Sequence, residues 1–469
     1  MNYQSTRGGQ KDITAAGAIK QGIARDGGLF VPESIPRLTP ALLEELRGKD
    51  YCGRAESIMA LYLTDFSPAE IAACVNGAYG GDAFDHPHKA PLTRLDHGLY
   101  VQELWHGPTG AFKDMALQML PQLMSASVEH TGEHDHIVIL VATSGDTGKA
   151  ALEGFRDVPG TSIVVFYPAE GVSQVQQRQM ITQRGKNVHV IAVEGNFDDA
   201  QNGVKRIFAD GELRERLAKN GIRLSSANSI NWGRLLPQIV YYVSAWLDLL
   251  NEGAIQEGDS INLAVPTGNF GNILAAWYAR AMGLPVHKLI CASNANNVLT
   301  EFLHTGHYDR KRPFTKTLSP SMDILISSNL ERLLYELSSR DHVRVQGWMS
   351  DLQIKGEYQV EEDVRQRLGD LFVAGWADDF TTRQAVRDCW EEYGYLLDTH
   401  TAVAWHIYRE YSVKSGDKHP AVIVSTASPY KFADSVAAAL PGASLPGHDE
   451  FQCLYDLQAF SGCPIPAPL

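Results

Sequence analysis

His106-Gly107-Pro108-Thr109-Gly110-Ala111-Phe112-Lys113-Asp114 sets one lysine between an aromatic ring and a carboxylate, directly after a Gly/Pro turn. A lysine amine is a poor nucleophile while protonated. Apolar neighbours such as Phe112 and Met115 lower its pKa and free its lone pair to form a Schiff base with an aldehyde. Two stretches further along sharpen the reading. Ser144-Gly-Asp-Thr-Gly148 follows one apolar run and Gly268-Asn-Phe-Gly-Asn272 follows another. Each has the layout of a strand, a glycine turn and a helix start, where backbone N–H groups and the helix dipole receive phosphates and carboxylates. An aldehyde-trapping lysine with two anion cradles points to pyridoxal phosphate (PLP), an aldehyde with a phosphate tail.

The chain of 469 residues has room for two or three domains and a sizeable core. Its hydrophobic share of 44% is that of an ordinary globular protein. A formal net charge of −14 argues against nucleic acid and anionic membrane surfaces as partners. It also sets a local problem, because an anionic cofactor must bind an anionic protein. Helix N-termini and a few placed cations must supply the positive field. The 6 cysteines are scattered with no C-x-x-C, which argues against a disulfide framework or a zinc site and for a reducing compartment. No apolar run reaches the roughly 18 residues of a membrane span. The residues from Met1 to Gly8 form no apolar signal core, so the expected location is the cytoplasm.

Four stretches differ in pattern. Residues 1–92 are expected to form a mostly helical N-terminal domain, with turns at Asp26-Gly-Gly28 and Pro36. Residues 93–210 alternate. Strands are predicted at His136–Ala142, Ser162–Phe166 and Val188–Val193, and helices at Gly148–Phe155, Val172–Thr182 and Phe197–Ala209. A second α/β domain is expected from 211–294 together with 401–469. It includes a helix at Leu235–Leu250 and strands at Ile261–Val265, Val286–Cys291 and Ala421–Ser425. Residues 295–400 break the alternation and are predicted to be a helical insertion. Strands separated by helix-length segments give an α/β fold of parallel sheets flanked by helices.

H-G-P-T-G-A-F-K-D, S-G-D-T-G, P-T-G-N-F-G-N and S-T-A-S-P-Y-K-F together resemble the threonine synthases, PLP enzymes of the tryptophan-synthase-β type of fold. Y-Q-S-T-R-G near the start and D-G-G-L-F-V-P resemble that family's N-terminal region. The matches run from Tyr3 to Phe432. The extended N-terminal region and the insertion resemble the long bacterial and fungal branch. The resemblance implies conversion of O-phosphohomoserine and water to threonine and phosphate, with a related phospho-lyase releasing 2-oxobutanoate as the alternative. It implies no metal, and a monomer or homodimer.

The resemblance also implies roles for residues. Lys113 would hold the cofactor and then move protons. Gly268, Asn269, Phe270, Gly271 and Asn272 would cradle its phosphate. Thr426 would meet its ring nitrogen, a milder partner than an aspartate. Thr143, Ser144 and Thr147 would receive the substrate carboxylate. Asp146 has the wrong charge for that task and would orient the loop or meet the substrate ammonium. The same loop reads equally as a helix cap. Asn231-Trp-Gly-Arg234 offers a guanidinium for the substrate phosphate, or else an ordinary helix start with a solvated arginine. Arg7 and Lys149 are further candidates for that anion. His106 either approaches the cofactor ring or simply packs beside its turn. His86-Pro-His88 lacks partners at metal-ligand spacing. The final motif has Ser428 where the family often carries a histidine, so a contact assigned to that position does not transfer.

Overall fold

Strands with no polar alternation must be covered on both faces. Ile261–Pro266 and Ala421–Ser425 are buried at every position and lie inside the larger sheet. Its strand order is Phe372–Trp376, Val286–Ser293, Ile261–Pro266, Ala421–Ser425, Leu99–Glu103, Leu92–Asp96. Neighbours run parallel except for the last pair, an antiparallel edge. The smaller sheet is parallel throughout, in the order Val188–Val193, Thr161–Pro168, His136–Ala142, Ile222–Ser225. This computed structural model describes residues 1–132, 135–143, 145–169, 172, 174–195, 197–443 and 449–469.

Helix Trp232–Asn251 is apolar nearly all round and is buried along almost its whole length, as such a pattern requires. It packs against Tyr51–Tyr62 on one side and against Gly271–Ala281 and Lys113–Leu117 on others. The N-terminal helices Pro40–Arg47, Tyr51–Tyr62 and Pro68–Tyr79 start at side-chain caps from Thr39, Asp50 and Ser67. The glycine-turn segments all leave the carboxyl ends of parallel strands, the usual place for ligands in such sheets.

The strands expected at His136–Ala142, Val188–Val193 and Ala421–Ser425 have those bounds. The 295–400 stretch is not purely helical. Phe372–Trp376 adds to the edge of the larger sheet beside Val286–Ser293, and His307–Asp309 pairs with Glu357–Gln359. Phe372–Trp376 escapes a pattern reading because it follows helix Glu362–Leu371 with no intervening turn.

One glycine fixes the distance between two functional helices. A Cβ on Gly154, in helix Asp146–Phe155, would lie 1.8 Å from the Leu117 carbonyl oxygen, at the end of the Lys113 helix. Alanine has the higher helix propensity by about 1 kcal/mol, but here steric overlap opposes it. Gly154→Ala is therefore expected to destabilise the protein by about 1–3 kcal/mol, read as a lower denaturation midpoint. A midpoint equal to or above that of the parent would refute the close approach.

Candidate active site

Lys113 is the first residue of helix Lys113–Leu117. Its turn is tied to the segment after Ala421–Ser425: the Phe112 N–H donates to the Thr426 carbonyl at 2.8 Å, and Ala111 pairs with Ala427. The Lys113 side chain is 13% exposed, with Nζ 3.9 Å from Asp146 Oδ2. Nζ also lies 3.4 Å from Ser321 Oγ. Burial pushes the amine down to about 8. Arg234 and Lys431 push the same way and Asp146 opposes them. The amine is thus neutral in part near neutral pH, as a lysine nucleophile requires.

Asp146 opens helix Asp146–Phe155, whose N-cap is Gly145 with no side-chain bond. It does not cap the helix. Its Oδ1 is 2.9 Å from Lys431 Nζ and accepts from Gln176 Nε2 at 2.9 Å. Burial alone would raise its pKa, but Lys431 and Lys113 outweigh this and hold the carboxyl well below the usual range. Thr143 Oγ1 accepts from Gly145 N and Gly148 N, both at 3.0 Å, and donates to the Gly145 carbonyl. Its hydroxyl therefore shapes the loop. Thr147 is half-buried at the helix start, and Ser144 lies outside the described residues.

The second cradle is strained. Phe270 sits at φ +64° in the left-handed region, a conformation uncommon outside glycine. Helix Gly271–Ala281 then starts with no side-chain cap, leaving its first N–H groups for a ligand. A Cβ on Gly268 would lie 2.8 Å from the Ser321 carbonyl oxygen, so glycine lets these two segments touch. The Asn269 carbonyl accepts from both the backbone and the side chain of Asn329. Asn272 Oδ1 accepts from the hydroxyls of Tyr241 and Tyr242. Its Nδ2 is buried without a partner. Thr426, 6% exposed, follows strand Ala421–Ser425.

Arg234 is buried, not solvated. Its Nη1 donates to the Ala227 carbonyl at 2.6 Å, while Nε is buried without a partner. Burial lowers its pKa to about 10, and among the described residues it pairs with no carboxylate. Such a group is stable only beside an anion. Asn231 caps this helix through Gly233 N, and its amide nitrogen donates to the Ile19 carbonyl. These two bonds fix the orientation of its side chain beside Arg234. Arg7 is bound bidentately by Glu331, and Lys149 pairs with Glu153, so neither is spare for the anion. His106 lies between Asp85 and Glu103 and stacks on Trp105. Burial works against its charge, but Glu103 and Asp85 outweigh that and raise its pKa.

At the opposite ends of the strands, His287, Asp417 and His419 cluster closely. The Asp417 oxygens already accept from Tyr411, Asn262 and His419. The carboxylate is spent on hydrogen bonds and holds His419 in place.

The residues thus fit a phosphorylated aldehyde: a depressed amine, an uncapped helix start at Gly271, an orphaned amide and a guanidinium with no carboxylate partner among the described residues. The chain matches the family described as Threonine synthase N terminus over residues 2–79, Pyridoxal-phosphate dependent enzyme over 84–348, and Threonine synthase, C-terminal over 401–459. It belongs to the threonine synthase family of PLP-dependent enzymes. Threonine synthase of Pseudomonas aeruginosa is 41% identical over 96% of this chain and 92% of its own. The PLP-bound threonine synthase from Brucella melitensis superposes with a TM-score of 0.88 at 38% identity, covering 98% of both chains. Threonine synthase-like 1 of Pongo abelii is 42% identical over 90% of this chain, which spans only 57% of that relative's length.

Ser321, Asn329 and Lys431 join the site without having been expected there. For Lys431 the available signal was a charge inside the otherwise apolar run around S-P-Y-K-F. For Ser321 and Asn329 there was none.

A depressed amine has a kinetic consequence. With any bound cofactor first removed by hydroxylamine, the rate of PLP capture is expected to rise as pH climbs through about 8 and then level off. A rate still rising towards about 10.4, the range of an ordinary lysine, would contradict this environment for Lys113.

Proposed function

We propose that the chain converts O-phosphohomoserine and water to L-threonine and inorganic phosphate. The observation that carries the reading is the convergence of Lys113 with Arg234, a buried guanidinium that lacks a carboxylate. Two anions must enter this site, one on the cofactor and one on the substrate. Lys113 Nζ would hold the cofactor's aldehyde carbon, the Gly268–Asn272 turn would receive its phosphate on the N–H groups of an uncapped helix, and the Thr426 hydroxyl would meet its ring nitrogen.

When bound, the cofactor supplies an electron sink for the substrate's carbon chain. Lys113, released by the incoming substrate amine, takes protons from Cα and then Cβ. Phosphate leaves Cγ, which gains a proton. Water adds at Cβ, and a proton returns to Cα. The loop of Thr143, Ser144 and Thr147 would hold the substrate carboxylate, with the Thr143 hydroxyl setting the loop's shape, and Asp146 would face the ammonium side. Arg234 holds the departing phosphate by its planar fork. The depth of the site keeps out bulk water, which protects the reacting species.

A cytoplasmic location belongs to the same reading. It is supported by the −14 charge, the free cysteines, and the fact that no described helix is long and apolar enough to cross a membrane. We assign no nucleic-acid partner, and a monomer or homodimer.

Steady-state kinetics with O-phosphohomoserine, with products separated, test the proposal. Threonine with stoichiometric phosphate is expected, and 2-oxobutanoate in its place would favour the phospho-lyase. Arg234→Leu is expected to raise KM and lower kcat while the bound cofactor's absorbance stays intact. Losing a charge-assisted contact costs about 1.5–3 kcal/mol, a fall in kcat/KM of roughly ten- to more than hundredfold. Arg234→Lys recovers only part, since a point charge cannot reproduce the fork. Unaltered kcat/KM in Arg234→Leu would remove the residue from substrate binding. In Lys113→Ala, loss of turnover and of the yellow band is expected with the fold retained, and a persisting band would overturn the assignment.

A further inference from the structure

Two lysines share the carboxylate of Asp146, and only Lys113 is used by the chemistry above. The second, Lys431, sits in the short helical turn Pro429–Phe432 after strand Ala421–Ser425. Its side chain is 0% exposed. Nζ lies 2.9 Å from Asp146 Oδ1 and donates to the Thr109 carbonyl at 2.8 Å. Thr109 in turn donates its N–H and its hydroxyl to Asp114, the neighbour of Lys113. Lys431 therefore touches two of the site's loops from a third.

A fully buried lysine is rare unless something specific holds it. Here the geometry says what is held. Asp146 Oδ1 is taken by Lys431 and Gln176, while Oδ2 accepts from Ser321 Oγ at 3.5 Å and faces Lys113 Nζ at 3.9 Å, longer than a hydrogen-bonded ion pair. A buried carboxylate facing one lysine alone would keep that amine protonated. A second cation on the same carboxylate divides its pull.

Resting on the reading of Lys113 as the reactive amine, we propose that Lys431 is a positioning residue. It clamps Asp146 and the Thr109 turn together and draws the carboxylate off Lys113, so that the amine stays free to attack an aldehyde. The charged groups that face Lys113 agree in direction: Asp146 and Asp114 raise its pKa, and Arg234 and Lys431 lower it.

The test reads the amine itself, not turnover. Protein freed of cofactor by hydroxylamine is acylated at a series of pH values, and the extent at the Lys113 peptide is followed by mass spectrometry. In Lys431→Met the midpoint is expected to move up by about one unit, so that acylation at neutral pH is roughly tenfold slower. In Asp146→Asn the midpoint moves down. A residue that only filled space would not give opposite shifts in these two variants. A folded Lys431→Met with the parent midpoint, or two variants shifted the same way, overturns the proposal. Should Lys431→Met fail to fold, Asp146→Asn decides alone, and an unmoved or raised midpoint there is equally fatal. Borohydride reduction of the PLP-loaded protein, followed by peptide mapping, checks the underlying reading separately. Label at another lysine would refute that reading while leaving the acylation profiles to judge the clamp.

Discussion

A surplus of buried positive charge around Asp146 is the constraint on which the rest of this structure depends. Lys431 and Arg234 are buried, Lys113 is mostly so, and Asp146 is the carboxylate that faces the two lysines. Asp114, pushed up to about 6 by burial, spends its oxygens on the N–H and the hydroxyl of Thr109. Burying unpaired charge is costly, and a sequence of net charge −14 could have neutralised these cations with nearby acids. It does not do so at Arg234. The proposed reading supplies the missing anions from the ligands, which would make the imbalance itself the recognition element.

Helix starts carry the same logic. The N-terminal helices beginning at Pro40, Tyr51 and Pro68 close their first N–H groups with Thr39, Asp50 and Ser67. The helix beginning at Gly271 has no such cap, although a cap commonly contributes about 1 kcal/mol. At the helix beginning at Asp146 the N-cap residue is Gly145, and the Thr143 hydroxyl takes the Gly148 N–H from two residues further back. Helix Trp232–Asn251, buried along almost its whole length, holds Arg234 in its first turn.

What the sequence made legible was local. Strand bounds at His136–Ala142 and Ala421–Ser425 followed from unbroken β-branched runs, and the glycine turns marked strand ends. Lys113 announced itself by its neighbours. The misses share one physical cause, a contact that joins distant parts of the chain. Ser321 reaches Lys113 across 208 positions, and Lys431 reaches Thr109 across 322. No periodicity or turn chemistry encodes such a meeting. Asn231 and Arg7 differ in another sense: their residue types suit ligand contact, and the partners they already hold, Gly233 and Ile19 for one and Glu331 for the other, are visible only in three dimensions.

The 295–400 stretch reads in sequence as an addition to an α/β frame, yet it supplies a wall of the site. Asn329 binds the carbonyl of Asn269 in the phosphate cradle and is itself held by Arg332, whose other nitrogens are spent on the carbonyls of Phe30 and Ile230. Ser321 touches Lys113, and its N–H is accepted by His400, which Asp398 orients. Gly268 exists in the form it does because Ser321 lies against it. The Gly268–Asn272 turn and the amine are thereby referenced to one segment. Displacing that segment would loosen the turn proposed for the cofactor phosphate and the lysine together. Ligand binding and the order of this stretch are therefore coupled by geometry, with no moving part between them.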